Sequence, residues 1–547
     1  MTTNQHEKPA AKKDTFLQGA LILTIAGIVV KIIGSINWFI LSRVIGGEGI
    51  GLYMMAFPLY LLALSVSSAG VPTAISIMTA ERLALYDYRG AKKVFHTSLK
   101  LMVVTGVCFS LLLYFGARWL IDFHIVRDAR AYYAILALAP AVFFVTILAS
   151  YRGHFQGLQQ MTPPAVSQII EQLVRVATMI IFASLLLPRG IEFGAAGASF
   201  GAAPAAFSAL IVLLVYSWRM DRKTSQQQGQ ERQADVPVQS SMQIMKRLIT
   251  LALPVSFASI MLPIVSNLDL MIVPMRLEVA GYTVEQATEL FGYLTGMAVP
   301  LINLLTILTA SLAISLVPAI SEAYTLKDTA KIQQRIRSAM RLSNLITIPG
   351  FIGLALLAYP LSTMLYGTEK VGGPLEVLAV SVFLLGIHQV TTGVLQGLGH
   401  TYIPVINMII AAAIKVLLNW VLTAIPSLGI LGASWATVAD VGIAASLNLA
   451  YVQHYTGCSL NLKDTKRITL SALFMGGMIY LSYGFLWHEL GNNVIATLLS
   501  SAVGALVYGL FIIWFRCVEE SEIQRIPLCG RSLAGMLRRA GFLKNHD

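Results

Sequence analysis

The segment FQGLQQMTPPAV, residues 155–166, recurs 240 positions later as LQGLGHTYIPVI, residues 395–406. Both copies contain the same Gln-Gly-Leu triplet, followed six residues later by a proline, and both lie between long apolar runs. A membrane protein built twice from one unit is most often a transporter whose halves move about a shared site. The recurring segment therefore predicts an internally duplicated transporter.

The composition of the chain is that of a membrane protein. Of 547 residues, 56% are hydrophobic and 12% are charged, whereas a soluble domain carries about 25% charged residues. The first apolar run continues for about 25 residues, too long for the apolar core of a signal peptide, so we expect a retained first helix. The sequence contains no nucleotide-binding or metal-binding motif, and its four cysteines form no CxxC pair, so we expect no cofactor.

Runs of about 20 apolar residues predict an all-α polytopic membrane protein with about 14 transmembrane helices. The predicted spans lie near 16–42, 50–80, 94–117, 131–150, 163–187, 194–218, 248–275, 288–318, 342–365, 374–396, 402–425, 430–452, 468–487 and 492–515. The repeat places six spans in each copy. Because six is even, both copies insert with the same orientation, and the last two spans are additional helices.

The positions of the basic residues predict the orientation. Of 39 Lys and Arg residues, 29 fall in the segments on the side of the N-terminus, 7 on the opposite side and 3 inside the spans. This bias predicts that both termini are cytoplasmic and that the protein lies in the cell membrane. It also accounts for the net charge of +12 without a nucleic-acid partner.

The predicted domain organisation follows from the spans and from one long polar stretch. It comprises a cytoplasmic N-terminus (1–15), a first six-helix lobe (16–218), a cytoplasmic linker (219–247), a second six-helix lobe (248–452), helices 13 and 14 (468–515) and a basic cytoplasmic tail (516–547).

Three charged residues in or at the end of the predicted spans are candidates for the transport path. A charge at the centre of a bilayer costs about 2.5–3.5 kcal/mol, so each such residue needs a physical reason. Lys31 is near the middle of the first span, where it either faces a water-filled cavity or forms a structural ion pair. Asp269 and Arg276 are seven residues apart on one helix face, and Asp269 is a candidate for coupling to a proton or an ion.

A second group of charges is expected to be structural or to belong to a gate. Glu171 and Arg175 are four residues apart, so they share a helix face and can form an ion pair, with Arg152 nearby in the chain. In the second copy Lys415 corresponds to Arg175, and Asp440 on the twelfth span is a candidate partner for it.

Several blocks of the chain resemble one branch of the MOP exporter superfamily, the branch that holds the stage V sporulation protein B group and the Gram-positive MurJ-type lipid II flippases. The blocks are YRGxFQG (151–157), MxPPAVSQ (161–168), EQxxR (171–175), NxD (267–269), VPxRL (273–277), LQGLG (395–399) and IGGEGIGLY (45–53). This resemblance covers nearly the whole chain. It implies two six-helix lobes in a V shape, a central cavity lined by spans 1, 2, 7 and 8, and substrates that are sugars linked to undecaprenyl pyrophosphate.

The resemblance also suggests which residues contact substrate. In the Gram-negative members, arginines stand where this chain has Lys31 and Asn37, and the helix-two arginine has no counterpart near Ala63 or Leu64. The predicted substrate-binding set is Lys31, Asn37, Arg43, Asp269 and Arg276. The smaller number of cations leaves open a lipid-linked glycan other than lipid II.

We therefore expect a monomeric flippase, not an enzyme, whose partners are a lipid-linked oligosaccharide and membrane lipids. It would act by alternating access in peptidoglycan biosynthesis and cell shape or in sporulation, coupled to the membrane potential or to a monovalent ion. An ion-coupled multidrug exporter of the same fold and a membrane glycosyltransferase are the alternatives. Spans 13 and 14 favour the flippase over the exporter, and the short outer loops argue against the glycosyltransferase.

Overall fold

The computed structural model describes residues 16–68, 70–227, 239–458, 462–515 and 517. The predicted N-terminus (1–15), residues 228–238 of the predicted linker and nearly all of the predicted tail (516–547) lie outside the described residues. Helices joined by short connections make up the described part of the chain, and it contains no β-strand. The predicted all-α class is confirmed.

Eighteen α-helices are described. They are α1 (Phe16–Ser68), α2 (Val71–Ala84), α3 (Tyr88–Asp122), α4 (Tyr132–Gly157), α5 (Thr162–Leu186), α6 (Ile191–Phe200), α7 (Ala202–Gln227), α8 (Ser241–Val279), α9 (Val284–Gly292), α10 (Val299–Leu305), α11 (Ile307–Thr325), α12 (Thr329–Leu356), α13 (Ala358–Tyr366), α14 (Gly372–Gly397), α15 (Tyr402–Leu422), α16 (Ile430–Thr456), α17 (Leu462–Leu490) and α18 (Asn493–Trp514). Short 3₁₀ turns precede α4 and α6, and a π-helical segment, Tyr293–Ala298, joins α9 to α10.

Fourteen helical stretches among the described residues are long and apolar enough to cross a membrane, which is the predicted number. The number agrees, but two of the predicted spans form one stretch and one predicted span forms two. The first stretch, Ile22–Ala84, has 63 residues, enough for the two spans predicted there. The predicted span 288–318 is instead divided between two stretches, Val284–Leu305 and Ile307–Thr325.

The long first helix is interrupted at Gly46, where the backbone has a φ of 66°. A residue with a side chain rarely adopts this left-handed conformation, so glycine is the residue that allows the chain to turn between the first two spans. The interruption falls in the IGGEGIGLY block (45–53), and Glu48 lies two residues after it. The block therefore marks the turn from the first span to the second.

The duplicated segment has the same structure in both copies. In the first copy α4 ends at Gly157 and α5 begins at Thr162, and in the second α14 ends at Gly397 and α15 begins at Tyr402. Three backbone hydrogen bonds recur in each turn: from Leu158, Gln159 and Gln160 to His154, Gln156 and Phe155, and from Leu398, Gly399 and His400 to Val394, Gln396 and Leu395. The sequence repeat is therefore a repeat of backbone conformation.

The helix before each duplicated turn packs closely on another helix through two glycines four residues apart. A Cβ atom on Gly153 would lie 2.5 Å from the Pro72 carbonyl oxygen of α2, and one on Gly393 would lie 2.7 Å from the Ala313 carbonyl oxygen of α11. Their partners one turn later, Gly157 and Gly397, are equally crowded. Small residues at this spacing allow membrane helices to approach closely.

The described helices form two compact units. One contains the chain up to Glu278 and the segment Tyr282–Gly292, and the other contains Val279–Gly281 and the chain from Tyr293 onward. In the first unit α8 packs on α2 and α3 through a cluster that includes Ile75, Val94 and Leu248. In the second unit α17 packs on α12, and α18 packs on α17 and α13. By packing, α8 and α9 belong with the first unit, although the sequence repeat assigns them to the second lobe.

Candidate functional site

Lys31 lies on a polar stripe of α1. Thr24, Lys31 and Ser35 are seven and four residues apart, so they share one helix face, and the Ser35 Oγ donates a hydrogen bond to the Lys31 carbonyl oxygen at 3.0 Å. Thr24 and Lys31 are both exposed. The neighbouring face presents four exposed isoleucines: Ile25, Ile32, Ile36 and Ile40. In a membrane helix an exposed apolar stripe suits lipid, whereas an exposed lysine requires polar surroundings.

The other two predicted binding residues of α1 are placed differently from each other. Asn37 is only 4% exposed, and its Nδ2 donates a hydrogen bond to the sulfur of Met179 on α5 at 3.5 Å. It therefore contributes to the packing of α1 on α5, and its role in substrate binding stays a prediction. Arg43 is exposed, three residues before the interruption at Gly46.

Asp269 and Arg276 are both half-buried on α8, and their separation of seven residues places them on one face. A neighbouring side chain fixes this part of α8 on α1: the Asn267 Nδ2 donates hydrogen bonds to the Pro58 carbonyl oxygen and to the Pro263 carbonyl oxygen, each at 2.8 Å. The second bond lies within α8, and the first joins two predicted spans of the transport path. The role of Asp269 in coupling stays a prediction.

The predicted Glu171–Arg175 pair is present and includes Arg152. Glu171 Oε1 accepts from Arg175 Nη2 at 2.6 Å, and Glu171 Oε2 accepts from Arg152 Nη2 at 2.8 Å. The Arg152 Nε also donates to the Ser167 Oγ at 3.0 Å. The three charged side chains are only 14–18% exposed, so the cluster joins the end of α4 to α5 in a largely dry environment. Tyr60 of α1 interacts electrostatically with Arg175.

In the second unit Lys415 is buried on α15 with an exposure of 7%, and Asn419 lies one turn further along with an exposure of 1%. Its predicted partner Asp440 is half-buried on α16, the helix that packs against α15. This pairing stays a prediction. A buried amide contact also joins the two helices, because Asn407 Nδ2 donates to Asn448 Oδ1 at 2.8 Å.

The structure shows an ionic network that the sequence did not predict. It lies at one end of the first unit, which the distribution of Lys and Arg predicts to face the outer side of the membrane. Arg130 donates to both carboxylate oxygens of Asp128, and its Nη1 lies 2.6 Å from the Glu48 Oε1. Asp128 is 3% exposed and also accepts from the Thr288 hydroxyl at 2.9 Å. The network therefore connects α1, the loop before α4, and α9.

A second ion pair holds the end of α8 to the same loop. Arg127 donates two hydrogen bonds to Glu278, at 2.9 Å and 2.8 Å. Nearby, α1 and α9 are in direct backbone contact, since a Cβ atom on Gly51 would lie 2.0 Å from the Thr288 carbonyl oxygen. We call these two ion networks and this backbone contact the outer clasp.

The opposite end of α8 is attached to the first unit as well. Arg247 Nη2 lies 2.8 Å from the Glu81 Oε2 at the end of α2, and both side chains are 44% exposed. The backbone N–H of Gly70 donates to the Ser256 Oγ at 3.1 Å. Just before α8, the Gln239 carbonyl oxygen accepts from the Lys93 Nζ at 2.7 Å. Helix α8 is therefore held to the first unit along its whole length.

Within the described ranges, no group of three His, Cys, Asp or Glu side chains could hold a metal ion.

Comparisons with known proteins agree with this architecture. A family model described as Polysaccharide biosynthesis protein matches residues 16–324, and one described as MatE matches residues 294–421. The chain is 31% identical over 526 residues to stage V sporulation protein B of Bacillus subtilis (strain 168), covering 95% of this chain and 99% of that protein.

Two further proteins are similar over most of their length. The chain is 24% identical over 518 residues to the lipid II flippase MurJ of Bacillus subtilis (strain 168), covering 90% of this chain and 94% of that protein. A solved structure of lipid II flippase MurJ in an inward closed conformation superimposes with a TM-score of 0.65 at 18% identity, covering 91% of this chain and 99% of that one. The structural likeness shows a shared fold.

Proposed function

Because the chain belongs to the polysaccharide biosynthesis protein family of the MOP exporter superfamily, as the sequence motifs predict, we propose that it is a flippase for lipid II. It would carry this undecaprenyl-pyrophosphate-linked precursor of peptidoglycan from the inner to the outer leaflet. Family membership supports a multi-pass membrane flippase of lipid-linked polysaccharides. The similarity to a lipid II flippase over 90% of the chain supports the narrower choice.

The observation that carries the proposal is the position of Lys31. A pyrophosphate that crosses a membrane loses much of its hydration, so it needs cations along its path. Lys31 is an exposed cation on the polar stripe of α1, separated from the isoleucine stripe. We assign Arg43 and Arg276 as further contacts for the pyrophosphate or the sugars, and Asn37 a role in packing α1 on α5.

The attachments of α8 suggest which contacts change in alternating access. The outer clasp and the Arg247–Glu81 pair hold opposite ends of the α8–α9 region to the helices of the first unit. In the proposed cycle these contacts release one end at a time. Substrate drives the change only if it binds one conformation more tightly than the other.

We further propose that transport is coupled to the membrane potential or to a monovalent ion through Asp269, that the protein acts as a monomer and that both termini are cytoplasmic. The coupling is tested by measuring flipping in vesicles after the potential is collapsed and, separately, after sodium is replaced. Flipping that is unchanged in both conditions contradicts coupling to the potential and to sodium.

A second candidate substrate is another lipid-linked glycan of the envelope or the spore. The relative with 31% identity is a sporulation protein, and Asn37 stands where the Gram-negative flippases have an arginine. This candidate keeps the flippase mechanism and changes only the sugars.

The test is complementation of cells depleted of their own lipid II flippase, with lipid II on the outer leaflet as the readout. Rescue of growth together with restored outer-leaflet lipid II supports the proposal. Failure to rescue by protein that is present and folded in the membrane contradicts lipid II as the substrate. In that case, the accumulation of a different lipid-linked glycan on the inner leaflet of a strain that lacks this chain identifies the second candidate.

A further inference from the structure

Helices α15 and α16 of the second unit pack in a register that contacts fix at both ends. At one end the Asn407 Nδ2 donates a hydrogen bond to the Asn448 Oδ1 at 2.8 Å. At the other end a Cβ atom on Gly432 would lie 2.8 Å from the backbone nitrogen of Thr423. On each helix the two contacts are 16 residues apart, and they show that the helices run antiparallel. Each step along α15 therefore matches an equal step backwards along α16.

Every fourth residue between these contacts forms a row on each helix, and rows of this kind interdigitate when two helices pack. The buried row of α15 faces α16, the helix on which α15 mainly packs. Lys415 is eight residues from both end contacts on α15, and Asp440 is eight residues from both on α16. These two residues are therefore expected to lie opposite each other. The paired positions are Asn407 with Asn448, Ala411 with Ala444, Lys415 with Asp440, Asn419 with Ala436 and Thr423 with Gly432.

The first copy packs its fifth span in an equivalent register. The Gly-Ala-Ser triplet of residues 197–199 recurs as residues 432–434. Cβ atoms on two glycines of the first copy would lie close to backbone nitrogens of α5, that on Gly197 at 2.9 Å from Ala183 and that on Gly201 at 2.7 Å from Met179. One further step along the two rows brings Arg175, the counterpart of Lys415, opposite Ala205, which is fully buried.

The two copies carry the acid of these rows in different places. In the first copy Glu171 lies one turn before the cation on the same helix, and its Oε1 is 2.6 Å from the Arg175 Nη2. The equivalent position of the second copy is Ala411. On the facing helix the second copy has Asp440 where the first has Ala205. An acid and an alanine have therefore changed places between the copies, and each pair of rows keeps one acid.

We propose that Asp440 is the counter-ion of Lys415 and that this pair locks α15 to α16 inside the second unit. Lys415 is only 7% exposed, and a buried ammonium group is costly unless an opposite charge lies beside it. The half-buried Asp440 carboxylate supplies that charge from the neighbouring helix. In the first copy the corresponding pair lies within α5, so it adds no ionic link between α5 and α7. The lock is specific to the second copy, and it gives Lys415 the role of holding two helices together rather than of contacting substrate.

The first experiment is thermal unfolding of the full chain in one detergent, without substrate, so its result does not depend on the proposed flippase function. Lys415→Met and Asp440→Asn should each lower the unfolding temperature by several degrees, because each leaves the other charge buried without its partner. The double variant leaves neither charge, so its loss should be smaller than the two single losses together. Additive losses, or single variants as stable as the wild type, overturn the pair.

The second experiment moves the acid to the position that it has in the first copy. Asp440→Ala combined with Ala411→Glu places a carboxylate one turn before Lys415, as Glu171 stands before Arg175. This variant should recover most of the stability, and of the yield of monodisperse protein, that Asp440→Ala alone loses. Ala411→Glu alone is the matched control, because with Asp440 present it adds a second carboxylate to a buried position and should destabilise the protein. A loss of stability on adding Ala411→Glu in both backgrounds overturns the proposal.

Discussion

Gln159 and Gly399 occupy equivalent positions of the two sequence copies, and both have a left-handed backbone, with φ of 58° and 86°. Each is the second residue after the helix that forms the fourth span of its copy, α4 or α14. The backbone N–H of each donates a hydrogen bond to the carbonyl oxygen three residues earlier. The backbone of the turn was therefore retained after duplication, although only one copy has the residue that suits it. Glycine adopts this conformation without steric cost, and glutamine does not.

This difference predicts opposite effects of substitution at the two positions. Gly399→Ala should lower the free energy of unfolding by about 1 kcal/mol, because alanine is strained at positive φ. Gln159→Gly should leave stability unchanged or raise it slightly. Thermal unfolding in detergent, followed by fluorescence, measures both. A stable Gly399→Ala protein would contradict the strain argument.

A second prediction concerns the glycines that allow close helix contact. Gly153→Val should prevent stable assembly of α4 on α2, because even a Cβ atom there would lie 2.5 Å from a backbone oxygen. Gly116→Val on α3 is the matched control, since nothing lies within 4 Å of a Cβ atom at that position. Yield of monodisperse protein from membranes is the measurement. Equal yields of the two variants would show that α4 and α2 can separate without cost.

The sequence alone predicted the helical class, the number of spans, the duplicated turn and the Glu171–Arg175 pair, because each depends on a local pattern or on spacing within one helix. It did not predict that α8 packs with the first unit. A sequence repeat shows which segments arose by duplication, whereas the packing of a helix depends on the folded conformation. The outer clasp was also missed. Its members Glu48, Asp128 and Thr288 lie in three distant segments, and in the sequence each is an ordinary polar residue near a loop.

The buried Arg152–Glu171–Arg175 cluster predicts a large effect of removing its one carboxylate. Glu171→Gln leaves two largely buried guanidinium groups without a counter-charge, and breaking a buried ion pair from one side costs about 3–5 kcal/mol. Glu81→Gln breaks the half-exposed pair with Arg247 and should cost at most about 1 kcal/mol. Thermal unfolding of both variants in the same detergent gives the comparison. Similar losses of stability would mean that the cluster is well hydrated.

The outer clasp predicts that exchange of its charges is tolerated when a single reversal is not. Arg127→Glu places two carboxylates together, and Glu278→Arg places two guanidinium groups together, so each should destabilise the outer clasp and lower flipping. The double variant restores an opposite pair and should recover a large part of the activity. The measurement is complementation together with flipping in vesicles. A double variant no better than either single variant would show that the Arg127–Glu278 pair has no energetic role in transport.

The last prediction concerns Lys31, where position and charge can be separated. Lys31→Ala should abolish or strongly reduce flipping, because the polar stripe of α1 then lacks the cation that compensates the pyrophosphate. Lys31→Arg keeps the charge at the same position and should retain much of the activity, whereas Lys31→Gln keeps a polar side chain without charge and should resemble alanine.

Ile32→Ala is the matched control, since this neighbouring exposed side chain belongs to the isoleucine stripe and its loss should leave flipping intact. All four proteins should unfold at similar temperatures, because the side chains at both positions are exposed and loss of an exposed side chain changes stability little. Full activity of Lys31→Ala would remove the lysine from the transport path and leave Arg43 and Arg276 as the cations to test.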